Sequence, residues 1–182
     1  GIAGKVGSGK SGILSAILEE VPYYSGWFSV SGTVAYVEQE PYIFCGTVQE
    51  NITFGKPYDE GFYNQVVKVC CLENDFKLFP TGDRTEIGER GITVSGGQKA
   101  RLSLARAVYS KADIYLFDDP ISAVDAKVAR RIYDDVIRGI LRGKTVLLVT
   151  HQVHYLTECD HLILMKDGAI EYQGTPQQLS EP

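Results

Sequence analysis

Gly4-Lys5-Val6-Gly7-Ser8-Gly9-Lys10-Ser11 fits the spacing G-x-x-x-x-G-K-[ST]. Each part of that spacing has a chemical use. Glycines let successive backbone N–H groups close around an anion as a nest, and a helix opening just after the loop adds its positive end. Lys10 is then placed to reach the outer phosphates of a nucleotide, and Ser11 to ligate Mg2+. The plainer alternative is a glycine-rich turn beside a surface lysine. A second arrangement speaks against it. The apolar run Ile114-Tyr115-Leu116-Phe117 ends on Asp118, which puts a carboxylate at the C-terminal edge of a buried strand, where α/β sheets bind ligands. That is the Walker B pattern, with Asp118 supporting the metal. Alone it is weak; at domain-scale spacing behind a phosphate loop it is specific.

The elements that must carry these groups are legible in outline. Residues 11–21 read as a helix with Ile13, Leu14, Ile17 and Leu18 on one stripe, ended by Pro22. Residues 28–30 and 33–37 read as short strands around Gly32. From about Glu40 to Tyr109 the pattern turns largely helical, with helices expected over 62–72 and 95–109, the second capped by Ser95. Residues 114–117 and 145–149 are buried strands, and Asp125 caps a helix running to about Leu141. Residues 162–165 and 169–172 flank Lys166-Asp167-Gly168, a hairpin signal. Strands alternating with helices at both ends predict an α/β fold with a parallel sheet and a helical insertion. Only three residues precede the phosphate loop, so the chain is expected to begin inside a strand. Its last residues, from Gln177 to Pro182, form a polar stretch that opens like a helix, and the whole reads as a fragment of something longer.

Composition narrows the class. At 182 residues, 44% hydrophobic and 23% charged, the chain can bury one sizeable core. A net charge of −5 argues against a nucleic-acid groove. There is no run of 18 apolar residues, and nothing at the start has the pattern of a signal peptide. Cys45, Cys70, Cys71 and Cys159 show no C-x-x-C pairing and read as buried, reduced thiols of a cytosolic compartment. His151 and His154 have metal-ligand spacing, but no carboxylates or cysteines are placed to join them, so His154 and His161 read as surface or packing residues. Arg130, Arg131, Arg138 and Arg142, interleaved with Asp134 and Asp135, read as a solvated helix face.

A third motif is the decisive one. Val94-Ser95-Gly96-Gly97-Gln98 stands upstream of the Walker B run and leads into Lys99-Ala100-Arg101-Leu102-Ser103-Leu104-Ala105-Arg106-Ala107. Here the sequence resembles the nucleotide-binding domain of ABC transporters, whose signature is usually Leu-Ser-Gly-Gly-Gln. Gln39 resembles the Q-loop glutamine, Ser122-Ala123-Val124-Asp125 the D-loop, and His151 the switch histidine. The run from Tyr36 to Ile52, the stretch from Ser95 to Tyr109, and Asp113 to Pro120 narrow the likeness to the first nucleotide-binding domain of the C subfamily. That group holds multidrug-resistance-associated exporters, a chloride channel and sulfonylurea receptors.

The resemblance implies a phosphate-loop, RecA-like core over 1–39 and 111–182 and a helical signature subdomain over 40–110. It implies ATP held on Gly4, Lys5, Val6, Gly7, Ser8, Gly9, Lys10, Ser11 and Gln39, and Mg2+ held by Ser11, Gln39 and Asp118. Ser95, Gly96, Gly97 and Gln98 would close over the ATP of a second nucleotide-binding domain in the same polypeptide, head to tail. The segment after Gln39, with Tyr42 and Phe44, would dock on transmembrane domains, which sets the domain at the cytosolic face of a membrane. Lys10, Asp119 and His151 would be the catalytic groups. Two departures stand out. Val94 replaces the usual Leu, a mild change. Asp119 stands where a hydrolytic domain usually carries Glu as general base. Asp is one methylene shorter, and a base must lie within about 2.6–3.2 Å of its proton donor, so the expectation is a site that holds ATP well and hydrolyses it slowly. The competing readings are a non-hydrolytic, ATP-sensing module of a channel or channel regulator, a soluble ABC-type ATPase acting on DNA or ribosomes, and an unrelated phosphate-loop kinase or GTPase. The last leaves Ser95–Gln98 without a role.

Overall fold

The computed structural model describes residues 1–22, 25–89 and 91–179, so the last three residues of the helix-like tail lie outside the described residues. The chain opens with Ile2–Gly4 (β1), the phosphate-type loop, and helix Lys10–Ile17 (α1), followed by Val34–Val37 (β2). Then come Gly46–Thr47 (β3), Val48–Thr53 (α2), Glu60–Val69 (α3), Glu73–Leu78 (α4), a single 3-10 turn at Gly82–Arg84, and Glu86–Ile87 (β4). The long helix Gly96–Tyr109 (α5) leads to Ile114–Asp118 (β5). Ala126–Ile132 (α6) continues as a π-helical stretch over Tyr133–Ile140, and Thr145–Val149 (β6), Val153–Leu156 (α7), Leu162–Lys166 (β7), Ala169–Gly174 (β8) and Pro176–Leu179 (α8) complete the order.

Six strands form one sheet in the order β2-β5-β6-β1-β7-β8, parallel except for the hairpin partner β8. The interior strand β5, second from the β2 edge, has neighbours on both sides, Val37 opposite Phe117 and Asp118 opposite Val149. It is also covered on both faces. Leu116 packs with Leu14, Ile2, Val149 and Met165 on the α1 side. Tyr115 and Phe117 join the larger core with residues of α5 and α6 on the other. Burial on both faces explains why this stretch has no polar alternation. Removing each of these side chains from water contributes about 1.5–3 kcal/mol. The same larger core continues through Val48, Ile52, Val66, Leu102 and Tyr109, so the helical segment and the sheet share it.

The structure differs from the sequence reading at several points. α1 ends at Ile17 rather than Val21, because Glu19 takes a left-handed φ of 60°. Glu19 N–H then donates to Ala16 O and Glu20 N–H to Ser15 O, a Schellman closure that satisfies the last carbonyls before Pro22 is reached. Phe28–Val30, expected as a strand, joins no ladder and is largely exposed. The antiparallel pair β3–β4 was not legible, since two-residue strands carry no periodicity. Cys45 is exposed rather than buried. Among the described residues no helix is long and apolar enough to cross a membrane.

Candidate functional site at the C-terminal edge of the sheet

Parallel pairing brings four separate stretches of sequence to one edge. β1 runs directly into the loop Gly4–Ser11, β5 ends on Asp118, and β6 ends at Val149, two residues before His151. β2 ends at Val37, so Gln39 follows in an exposed bend beyond the same edge. The loop is shaped for close approach. Gly7 and Gly9 have φ of 78° and 97°, and a Cβ on Gly7 would meet nothing within 4 Å. Left-handed backbone is cheap only for glycine, and the open side of Gly7 is room for a ligand. At Gly4 the reverse holds, with Met165 O and Ser8 Oγ each 2.4 Å from where a Cβ would sit.

Three observations match the loop to phosphate. α1 starts with no side-chain cap and no acidic residue in its first turn, so its N–H groups face the loop unneutralised. Ser8 Oγ is buried without a hydrogen-bond partner. Buried Lys10 curls back, its ammonium donating to Gly4 O at 2.9 Å and Lys5 O at 2.7 Å. These are neutral acceptors that an anion would outcompete. Between the loop and β7 lies a cavity of about 340 Å³, lined by Gly4, Lys5, Gly7, Ser8, Met165 and Glu171. The turn beyond β7 braces the loop, with Gly168 N–H donating to Ser8 O at 3.1 Å.

The carboxylates sit deeper. Asp118 is 4% and Asp119 7% exposed. Burial raises the Asp119 carboxyl above its ordinary range, His151 and Lys10 pull it down, and Asp118 pushes it further up. All four groups therefore share one electrostatic neighbourhood. The Asp119 backbone is left-handed, with φ 49°, held by its N–H to Val149 O at 2.9 Å and by Ser122 Oγ to its carbonyl at 3.1 Å. No group of three or more His, Cys, Asp or Glu side chains among the described residues is arranged for a metal ion. Ser11 and Gln39 are exposed at the rim, and His151 likewise.

Ser95–Gln98 stands apart from this edge. Ser95 caps α5 in a reciprocal box, its Oγ accepting from Gln98 N–H at 3.1 Å and its N–H donating to Gln98 Oε1 at 2.8 Å. A Cβ on Gly97 would lie 3.1 Å from Ala123 O, so the helix start leans on the turn that follows Asp119. A groove of about 710 Å³ opens here, lined by Asp75, Ser95, Gly97, Arg101, Ala123 and Asp125. At the other end of α5, Arg106 donates to Tyr42 O, Asn51 O and Asn51 Oδ1 at 2.9, 2.7 and 3.0 Å. It also lies over the rings of Tyr42, Phe44 and Phe54. Tyr42 and Phe54 are nonetheless 58% and 60% exposed. Arg106 and Phe54 were not singled out from the sequence, where an arginine on a helix and an aromatic in a loop carry no signal of each other.

His154, Arg130, Arg131 and Arg138 make contacts away from this edge. The His154 ring lies tilted against that of Tyr155, and His161 O accepts from the Gly1 nitrogen. Arg130 pairs with Asp134 and Glu158, Arg131 with Asp135, and Arg138 with Glu158.

Residues 1–122 match the family model described as ABC transporter. ATP-binding cassette sub-family C member 4 of Mus musculus is 52% identical over 174 residues, 96% of this chain and 13% of that protein. Multidrug resistance protein mrp-7 of Caenorhabditis elegans is 53% identical over 180 residues, 98% of this chain and 12% of that protein. ABC transporter C family member 7 of Arabidopsis thaliana is 52% identical over 180 residues, 99% of this chain and 12% of that protein. The chain thus spans about an eighth of the length of the relatives it matches.

Proposed function

The chain belongs to the ABC transporter family, as a nucleotide-binding domain of its C subfamily, and from that membership we propose that it is the first of two such domains in an ATP-driven membrane transporter. The division into a core over 1–39 and 111–182 and a signature subdomain over 40–110 belongs to the same reading. So does its place at the cytosolic face of the membrane. Its two halves would present one nucleotide to the core and cover a second one, bound on the partner domain, with Ser95–Gln98. The observation that carries the proposal is the convergence of Gly4–Ser11, Gln39, Asp118 and His151 on one sheet edge, beyond the ends of four strands.

Bound ATP with Mg2+ would supply the γ-phosphoryl group and the charge that biases the two domains toward closure. Lys10 would exchange the carbonyls of Gly4 and Lys5 for the outer phosphates. Asp118, Ser11 and Gln39 would hold the metal, and His151 would contact the γ-phosphate. Asp119 would accept the proton of the attacking water. Its side chain is short and its backbone sharply turned, and a misplacement near 1 Å costs on the order of 10²-fold in rate. Hydrolysis at this site would therefore be slow. The exposed rings of Tyr42 and Phe54, seated on Arg106, would face the transmembrane domains. The same short base supports a second reading, an ATP-sensing module of a channel or channel regulator in which ATP is a long-lived ligand.

The test is to load the full-length protein with radiolabelled ATP, wash, and identify the nucleotide left on this domain. ATP persisting over many transport cycles supports a holding site. Rapid appearance of ADP makes Asp119 an adequate base and removes the asymmetry between the two domains.

A further inference from the structure

Gln98 belongs to the stretch expected to touch the partner's nucleotide, yet both of its polar side-chain atoms are already engaged inside this domain. Its Oε1 accepts from Ser95 N–H, and its Nε2 donates to Asp75 Oδ1 at 3.0 Å. Asp75 is buried on α4 and is gripped in turn by Arg101, whose Nη2 donates to Oδ1 at 3.1 Å and whose Nη1 reaches Oδ2. Arg101 Nη1 also donates to Cys71 O at 2.6 Å, where α3 gives way to α4. A chain of contacts therefore runs from α4 through Gln98 to Ser95, the N-cap of α5.

Gln98, at the end of that chain, sets what Ser95 can offer, through its backbone N–H on the Ser95 hydroxyl and its side-chain oxygen on the Ser95 N–H. Its hydroxyl oxygen is occupied as acceptor by Gln98 N–H, so its proton is the part left to give away. Its backbone N–H is spent on Gln98, while those of Gly96 and Gly97 open the helix, whose own first turn carries no acidic residue. The result is a set of donors aimed outward, suited to an anionic oxygen. We propose that Asp75 is a positioning residue. By fixing Gln98 it turns Ser95 into a hydrogen-bond donor for a phosphate group presented by another domain, and Gln98 itself touches no nucleotide. This rests on the reading of Ser95–Gly97 as the cover of a second ATP.

The experiment uses the full-length transporter and measures ATP retained separately on this domain's phosphate loop and on the opposite one, by photolabelling with azido-ATP and proteolytic mapping. Thermal unfolding checks that each variant is folded. Asp75→Ala should weaken retention at the opposite loop roughly tenfold, the scale of losing one charge-assisted hydrogen bond, with retention on this domain's own loop changed less than about twofold. Asp75→Asn keeps an oxygen for Gln98 Nε2 and should restore most of the loss, although the ion pair with Arg101 is gone. Where Asp75→Ala does not fold, Gln98→Leu removes the same link and leaves the Asp75–Arg101 pair intact, and it should reproduce the opposite-site loss. Equal loss at both loops, no loss at either, or Asp75→Asn behaving like Asp75→Ala would overturn the proposal. Ser95→Ala separates the two layers. If it leaves the opposite ATP untouched, the covering role itself fails and the positioning role fails with it.

Discussion

Lys10 shows how much a single side chain can hold in reserve. Its ammonium is buried among carbonyls of its own loop, so the loop is closed on a cation that waits for an anion. Lys10→Ala should cost about 10- to 100-fold in ATP affinity, the range of a charge-assisted hydrogen bond or two, measured by fluorescent-nucleotide titration. Asp119 shows the opposite economy. Asp and Asn visit the left-handed region more readily than other residues with a side chain, so the residue at φ 49° suits its backbone while giving up reach. Asp119→Glu should raise ATP turnover by about tenfold or more and lower stability by about 1 kcal/mol, the first read by phosphate release and the second by chemical denaturation. Unchanged turnover would remove side-chain length as the cause of a slow site.

At the scale of elements, α5 is the rod that joins two surfaces. Its N-terminus presents Ser95 and Gly96, and its last turn carries Arg106 under the aromatic patch of Tyr42, Phe44 and Phe54. The planar fork makes three hydrogen bonds here that an ammonium cannot reproduce. Arg106→Lys should therefore destabilise the domain by about 1–3 kcal/mol and loosen the patch, seen as faster proteolysis near Phe54. A second element-scale expectation concerns the far end of the chain. Arg130 and Arg138 hold Glu158 between them and keep its carboxyl below the ordinary 4.5. A depressed carboxylate stabilises the native state above its unfolded value, and that stability is lost as pH falls through the folded value. Glu158→Gln should lower the thermal midpoint at pH 7, and the gap to the parent protein should close as pH is taken down through and below 4.5.

For the whole molecule, one core ties the helical segment to the sheet, so a ligand at the sheet edge is linked to the stability of the entire unit. Saturation with MgATP at about 100 times its dissociation constant should add about 2.7 kcal/mol to unfolding, and Lys10→Ala should abolish most of that gain. A differential scanning experiment reads both. If the shift survives in Lys10→Ala, the nucleotide is bound somewhere other than Gly4–Ser11.

Much of this is legible in the sequence alone. The glycine spacing of 4–11, the apolar run into Asp118 and the run 95–98 are local, and local patterns are what a sequence displays. The strands at 114–117 and 145–149 and the capping role of Ser95 follow from the same kind of information, since burial on two faces and a cap three residues from its partner leave a mark within a few positions. What only the tertiary structure decided is non-local. Gln98 and Asp75 are 23 positions apart, Arg106 and Tyr42 64, and nothing in either residue's neighbourhood names the other. The two-residue strands β3 and β4 exist only because each supplies the other's hydrogen bonds. α1 stops at Ile17 because the backbone closes on itself at Glu19, a choice among allowed conformations that composition does not reveal. Residue type sets which chemistry is available, and packing sets which of those groups meet.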